Sequence, residues 1–240
     1  EVTQMVNAAA VSPILSAATL SRAGGLADHH ACAVFENRRG EFCVVLADGQ
    51  TDERCGGEQT SQRAVSAVQA AFAQQAGLES ATVRSYLYAA QGGWQTTVVV
   101  LLMDAGQAIW AQSGAARLYH IRAGAVVFQT GAYCVPQRLI NAGDFPSPSL
   151  RQNANLRQRP DELDDLRLTV LPEPVALQPD DAFLLCSDGL SRSVTELEMI
   201  ADRLKTTRPE EWLELLEYRI LSRAPADPGN YSAIAVWVAA

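Results

Sequence analysis

Lysine is almost missing from this chain: of its 19 basic residues, only Lys205 is a lysine. A phosphate loop of the G-x-x-x-x-G-K-[ST] kind places a lysine after its glycines, so that route to nucleotide binding is excluded. Positive charge is scarce as a whole. Acids number 27, the formal net charge is −8, and the arginines form no cluster. Nucleic acid and anionic membranes are bound through grouped cations, so neither is expected as a partner. Long hydrophobic runs are also missing. The longest, Thr97 to Met103, is strand-length, far short of the roughly 18 residues a membrane helix needs. The five cysteines are an odd number without a C-x-x-C pair. That argues against a disulfide framework or a zinc knuckle and makes a reducing cytoplasm the expected compartment. The chain opens at Glu1 with neither a methionine nor a charged-then-apolar leader, as expected of a trimmed chain or of part of a longer protein.

What is present suits a packed core. Hydrophobic residues make up 48% and charged residues 19% of 240 positions, a balance that excludes a disordered chain, and the length suits one large domain or two small ones. No internal repeat or low-complexity tract interrupts it. Apolar-rich segments Ala31 to Glu36 and Glu41 to Ala47 flank Asn37-Arg38-Arg39-Gly40, the pattern of a β-hairpin. Glu58 to Ala76 has helical spacing through Ala64, Val65, Val68, Ala71 and Phe72, with Gly77 as its stop. Glu79 to Ala90 repeats that spacing through Val83, Tyr86 and Leu87. Strands are expected at Thr96 to Met103, Ala108 to Gln112, Arg117 to Arg122 and Val126 to Gln129. Their short connections predict an antiparallel meander. Pro136 to Ala142 reads as a short helix and Asp144 to Asp165 as a surface loop. Further strands are predicted at Leu168 to Val170, Ala182 to Cys186 and Ser232 to Val238, and helices at Thr195 to Leu204 and Pro209 to Ser222. Thr195 and Glu198 have the spacing of a capping box. Strands and helices are segregated, so the fold class is α+β: antiparallel sheets packed together with helix pairs outside them.

Two acids stand where a hydrophobic strand runs into a glycine: Asp48 before Gly49 and Asp188 before Gly189. Each Asp-Gly pair taken singly reads as an ordinary turn. Two such acids on rigid strand tips are candidates for function, and composition alone does not say whether they meet.

The order of the motifs goes further. Leu46-Ala47-Asp48-Gly49, a short loop, Gly56-Gly57-Glu58 and Ser61 resemble the first metal motif of the protein phosphatase 2C, or PPM, family. Gly93-Trp94-Gln95-Thr96-Thr97 resembles its G-x-G-T-T segment. Ser113-Gly114-Ala115-Ala116-Arg117-Leu118-Tyr119 is similar to its V-G-D-S-R-x-Y hairpin. Leu177 to Leu190 is similar to the strand leading into its S-D-G motif, and Gly229-Asn230 stands where the family has D-N. Together these span about Ser21 to Val238. The resemblance implies a single domain over residues 1–240, with a central sandwich of two antiparallel β-sheets flanked by helix pairs. It also implies hydrolysis of phosphoserine and phosphothreonine with a pair of Mg²⁺ or Mn²⁺ ions, which are hard cations that require converging oxygen donors.

By the same resemblance, Asp48 matches the bridging aspartate, Gly49 the glycine whose carbonyl helps bind the second ion, and Asp188 the aspartate of S-D-G. Asp48 and Asp188 are thus the candidate catalytic and metal residues, expected within about 6 Å of each other at one end of the sandwich. Two family ligand positions are lost, one to Ala115 and one to Gly229. Asp28 matches the end of the R-x-x-N-E-D segment, but Leu26 and Ala27 replace its asparagine and glutamate. Ala23 stands at its phosphate-binding arginine, with Arg22 one residue away as a substrate-binding candidate. Glu53 replaces the histidine of the glycine-rich loop. Asp28 and Asp227 are the candidate substitute ligands, the latter if Asp227-Pro228-Gly229 folds back.

His29 and His30 read as surface or half-buried histidines. Neighbours on a strand face opposite ways, so at most one could join a metal site. Cys186 reads as core. Trp212, Leu215, Leu216 and Arg219 form a helix face best explained by packing.

Three functions remain open. One is a degenerate phosphatase domain with weak or no activity, acting as a regulatory or phosphoprotein-binding module in bacterial Ser/Thr signalling. The second is an active phosphatase that uses Mn²⁺ or Mg²⁺ with non-standard ligands. The third is a structural partner with a vestigial cleft. The expected partner is a phosphoprotein or another protein of a Ser/Thr kinase pathway, and the expected cofactor Mn²⁺ or Mg²⁺, if any is bound.

Overall fold

A computed structural model of the chain describes residues 10–12, 15–24, 29–49, 56–75, 77–91, 96–131, 168–223 and 229–239. The expected helix at Pro136 to Ala142 and the loop at Asp144 to Asp165 lie outside the described residues.

Two six-stranded antiparallel sheets form the centre. The first runs in the order β1 (Ala10–Ser12), β2 (Leu15–Arg22), β12 (Tyr231–Val238), β11 (Ala182–Cys186), β7 (Arg117–Arg122) and β8 (Ala125–Gln129). The second runs β10 (Val175–Ala176), β6 (Gln107–Ser113), β5 (Thr96–Met103), β4 (Phe42–Gly49) and β3 (His30–Glu36), with β9 (Leu168–Val170) also paired to β6. Helices α1 (Gly57–Gln74) and α2 (Ser80–Gln91) cover the second sheet. Helices α4 (Glu196–Arg203) and α5 (Pro209–Arg223) cover the first, and the short α3 (Asp188–Ser193) follows β11 directly.

The resulting order is helix, sheet, sheet, helix, and strand alternation explains it. Phe42, Val44 and Leu46 of β4 face inward, against Phe183, Leu185, Ile234 and Val236 of the first sheet. The intervening Cys43, Val45 and Ala47 face outward, against Val68 and Phe72 of α1 and Tyr86 and Leu87 of α2. On the other side, Leu184, Cys186, Ala235 and Trp237 pack under Met199, Trp212, Leu216 and Ile220. Because both faces of the central strands are covered, those strands are apolar throughout instead of alternating with polar residues.

The expected meander of four strands is not one ladder. β5 pairs with β6 in the second sheet and β7 with β8 in the first, while Gly114, Ala115 and Ala116 carry the chain from one sheet to the other. The chain also passes between the sheets from β2 to β3. Both crossings leave from the same end of the sandwich, since β2 ends at Arg22 opposite Tyr231, and β6 ends at Ser113 opposite Val98.

Candidate functional site

That end collects the ends of β2, β4, β6 and β11 and the starts of β3, β5, β7, β9 and β12. Asp48, one residue before the end of β4, stands opposite His30 and Thr97. Cys186, two residues before Asp188, closes β11 opposite Arg117 and Ala233. The topology therefore brings Asp48, Gly49, Asp188, Ala115 and Gly229 to one end, although 140 residues separate the two aspartates in sequence.

Asp48 continues the inward series Phe42, Val44 and Leu46, so its carboxylate stands at the mouth between the sheets. Gly49 takes the outward parity. Its N–H donates to the His29 carbonyl at 2.8 Å. A Cβ there would lie 1.9 Å from the Gly57 carbonyl oxygen and 2.3 Å from Thr60 Oγ1. Only a glycine lets the start of α1 press this closely against the strand tip. His29 shares the outward parity and packs on the same helix start: a Cβ on Gly57 would sit 2.6 Å from its ring.

His30 has the inward parity, in step with Cys32 and Val34, and its side chain is buried. Its Nε2 lies 3.5 Å from Asp48 Oδ1. The sequence had singled out the His29-His30 pair without choosing between them. The signal that chooses is the parity of β3 together with its register against β4.

Asp188 opens α3, and its Oδ2 receives Arg192 Nη2 at 2.5 Å, one helical turn on. Arg192 was not among the residues the sequence pointed to, although the i, i+4 spacing is readable there. The strands behind Asp188 are tied by Ser187, whose N–H donates to the Ser232 carbonyl and whose Oγ accepts from Ser232 N, both at 3.0 Å. Asn230 joins three segments. Its Oδ1 accepts from Gly24 N at 2.7 Å, and its backbone oxygen would stand 2.2 Å from a Cβ on Gly189.

Arg22 is turned to the outer side. Leu20, two residues earlier, packs in the helix-facing core of the first sheet. Arg22 shares its parity, and its Nε donates to Glu217 Oε1 of α5 at 2.6 Å. Tyr231 OH donates to the same oxygen at 3.0 Å. The hydrogen bond to Glu217 raises the pKa of the Arg22 guanidinium. Cys186 is fully buried, and burial pushes its thiol up to about 12, as befits a core residue and not a nucleophile.

Ala115 is half-buried in the β6–β7 crossing, after Gly114 at φ +83°, and Gly229 has φ +69°. Neither offers a side-chain donor. Asp28, Glu53 and Asp227 lie outside the described residues. Among the described residues no group of three or more His, Cys, Asp or Glu side chains is arranged to hold a metal. Asp48 and Asp188 together offset half of the charge on two divalent ions. The described donors therefore do not fit a pair of hard cations.

Comparison with known proteins accords with this architecture. No protein-family model matches the chain. The serine/threonine phosphatase Stp of Listeria welshimeri is 28% identical over 197 residues, covering 73% of this chain and 76% of that protein. The S. agalactiae serine/threonine phosphatase superposes with a TM-score of 0.71 at 18% identity, covering 93% and 99% of the two chains. The PstP catalytic domain, solved in complex with two manganese ions, superposes with a TM-score of 0.66 at 21% identity over 95% and 99%.

Proposed function

We propose that this chain, which has the PPM phosphatase fold and resembles a bacterial serine/threonine phosphatase in sequence, is a regulatory or phosphoprotein-binding domain of bacterial Ser/Thr signalling, with weak or no phosphatase activity. The observation that carries this reading is the composition of the strand-tip end. Asp48 and Asp188 stand there with Ala115 and Gly229, and no third acid or imidazole completes a metal cluster among the described residues. Two-ion hydrolysis of a phosphoester depends on acidifying a water and neutralising the phosphoryl oxygens. Two carboxylates alone supply neither.

The test is turnover of a phosphothreonine peptide by the full chain with added Mn²⁺ or Mg²⁺. Negligible turnover is expected, with unchanged values in Asp48→Asn. Substantial turnover that disappears in Asp48→Asn overturns the reading. It would favour an active phosphatase in which Asp28 or Asp227 completes the site. Both precede described segments that border this end, Asp28 immediately before His29 and Asp227 two residues before Gly229, which is what supports that second reading.

A further inference from the structure

We infer that the outer edge of β3, together with the flank of α1, is a docking groove for an extended acidic segment of a partner protein, which binds there as an added antiparallel strand. The groove lies at the β3–β4 hairpin, at the other end of the strands from Asp48, ~20 Å away at about 3.3 Å per residue. The inference goes beyond the proposed function and stands whether or not the strand-tip end hydrolyses phosphoesters.

An open sheet edge is a template for pairing, and folded proteins blunt it with short strands, bulges, proline or lysine. Among the described residues, three of the four edges follow that rule. β1 has three residues and β8 five, and the register of each shifts against its neighbour. The edge beyond β6 is split between β9 and β10, of three and two residues. β3 differs: its seven residues hold an unbroken register with β4 and include no proline or lysine. Ladder parity shows which of its groups are on offer. Gly49 N donates to the His29 carbonyl and Asn37 N to the Glu41 carbonyl, so the odd-numbered residues bond to β4. Alternation then directs the N–H and C=O of Val34 and Glu36 to the outer edge, where no strand pairs with them among the described residues.

A groove of about 670 Å³ runs beside this edge, within the range of about 300–1,000 Å³ usual for binding sites. Val34, Phe35 and Glu36 line one side, and Gln69, Phe72 and Ala73 of α1 the other. Successive residues of a strand face opposite ways, so lining by all three means that the groove follows the edge of β3 and not one face. Arg38 and Arg39 also line it, at the hairpin turn. Both are exposed, and among the described residues neither pairs with an acid, whereas Arg22, Arg122, Arg192, Arg208, Arg219 and Arg223 each do. Their turn is fixed by Asn37, whose Oδ1 accepts from Arg39 N at 2.9 Å and Glu41 N at 3.1 Å. Asn37 Nδ2 donates to Glu41 Oε2 at 2.6 Å and holds that carboxylate within the turn. Glu36 is the one acid lining the groove. Two unpaired cations against one acid select a negative occupant. A strand added antiparallel to β3 brings its N-terminal end beside Arg38 and Arg39. Acids there, followed by alternating apolar residues for the wall of Phe35, Phe72 and Ala73, are the pattern this edge would read.

The probe is a C-terminally fluorescein-labelled peptide, Asp-Asp-Ser-Val-Thr-Val-Ser-Gly, titrated with the full chain at low salt and followed by anisotropy. Saturable binding is expected. Replacing the two aspartates of the probe by lysine, or combining Arg38→Glu with Arg39→Glu, should weaken it at least tenfold. Ala73→Trp, at an exposed position of α1, should narrow the groove and weaken it at least fivefold. An added strand pairs through alternate amides, so N-methylation of the probe should abolish binding on one parity and spare it on the other. The Val34 and Glu36 amides should gain protection from hydrogen exchange when the probe is bound. Asp48→Asn should leave binding unchanged, which separates this result from the turnover that tests the proposed function. Absence of saturable binding, equal binding of the lysine probe, or indifference to the arginine reversals overturns the inference. Protection of Val34 and Glu36 that rises with protein concentration in the absence of probe also overturns it, by assigning the edge to a second copy of the chain. Should the double arginine variant fail to fold by circular dichroism, the lysine probe and Ala73→Trp decide.

Discussion

Gly229 and Gly49 are opposite kinds of glycine, and the difference decides which lost or kept site position can be altered. A Cβ on Gly49 collides with the backbone of α1. Nothing lies within 4 Å of the place a Cβ would take on Gly229, and its constraint is conformational, φ +69°. Aspartate is one of the few side chains that adopts this left-handed region, at a cost of about 1 kcal/mol. The double substitution Ala115→Asp and Gly229→Asp should therefore fold, with a modest drop in Tm, and should create Mn²⁺ affinity measurable by calorimetry. A folded double variant without Mn²⁺ affinity would mean that missing carboxylates are not what sets this end apart from a two-ion site.

At the scale of elements, α4 shows how much of the helical layer is local and how much is docking. Thr195 caps it: its Oγ1 accepts from Glu198 N, and its own N–H donates to Glu198 Oε2 at 3.0 Å. Glu198 is also bound by Arg223 of α5. That contact, followed by the Thr195 hydrogen bond, lowers its carboxyl to about 2. A second tie joins the same helices, where Arg219 Nη2 donates to Asp202 Oδ1 at 2.8 Å. Thr195→Ala should cost about 1 kcal/mol, the usual loss for an N-cap, read as a lower urea midpoint without a change in slope. A loss near zero would mean that docking through Arg219 and Arg223 holds the helix without its cap.

The whole molecule carries a second buried polar cluster at the end of the first sheet away from the candidate site. Asp181 is fully buried, with Arg122 Nη2 at 2.6 Å from its Oδ2 and His120 Nε2 at 3.2 Å from its Oδ1. His120 also stacks on Phe183, with ring centroids 4.4 Å apart. Burial lowers the His120 pKa, outweighing the pull of Asp181. Burial alone would raise the Asp181 carboxyl, but the hydrogen bonds from Arg122 and Gln178 hold it below its ordinary range. Both shifts make the fold acid-labile. Below about pH 6.5 an unfolded histidine takes up a proton that folded His120 resists, so stability falls as pH drops through that range. The Asp181 contribution is present above about pH 3.9 and is lost as pH falls towards its lower folded value. Urea midpoints should decline from pH 7 to pH 5. In His120→Gln they should start lower at pH 7 and decline less steeply. An equal slope in the variant would assign the acid sensitivity to other groups.

Much of this was written in the chain itself. Strands β5, β7, β9 and β11 have the bounds that apolar runs and glycine turns predicted, because both depend on neighbours in sequence. The ordered motifs pointed to a PPM sandwich and to Asp48, Gly49 and Asp188 at its strand tips. Residue parity already set His29 and His30 on opposite faces. Strand β2 was not legible, because Leu-Ser-Ala-Ala-Thr-Leu-Ser-Arg mixes small and polar residues and becomes a strand only by pairing along β12, more than 200 residues later. The partner of Arg22, 195 residues away at Glu217, was equally hidden. So was the choice of His30 as the histidine that meets Asp48. Those outcomes depend on register between distant strands and on which sheet face a helix covers. Chain folding in three dimensions decides both, and no local pattern of residues encodes either.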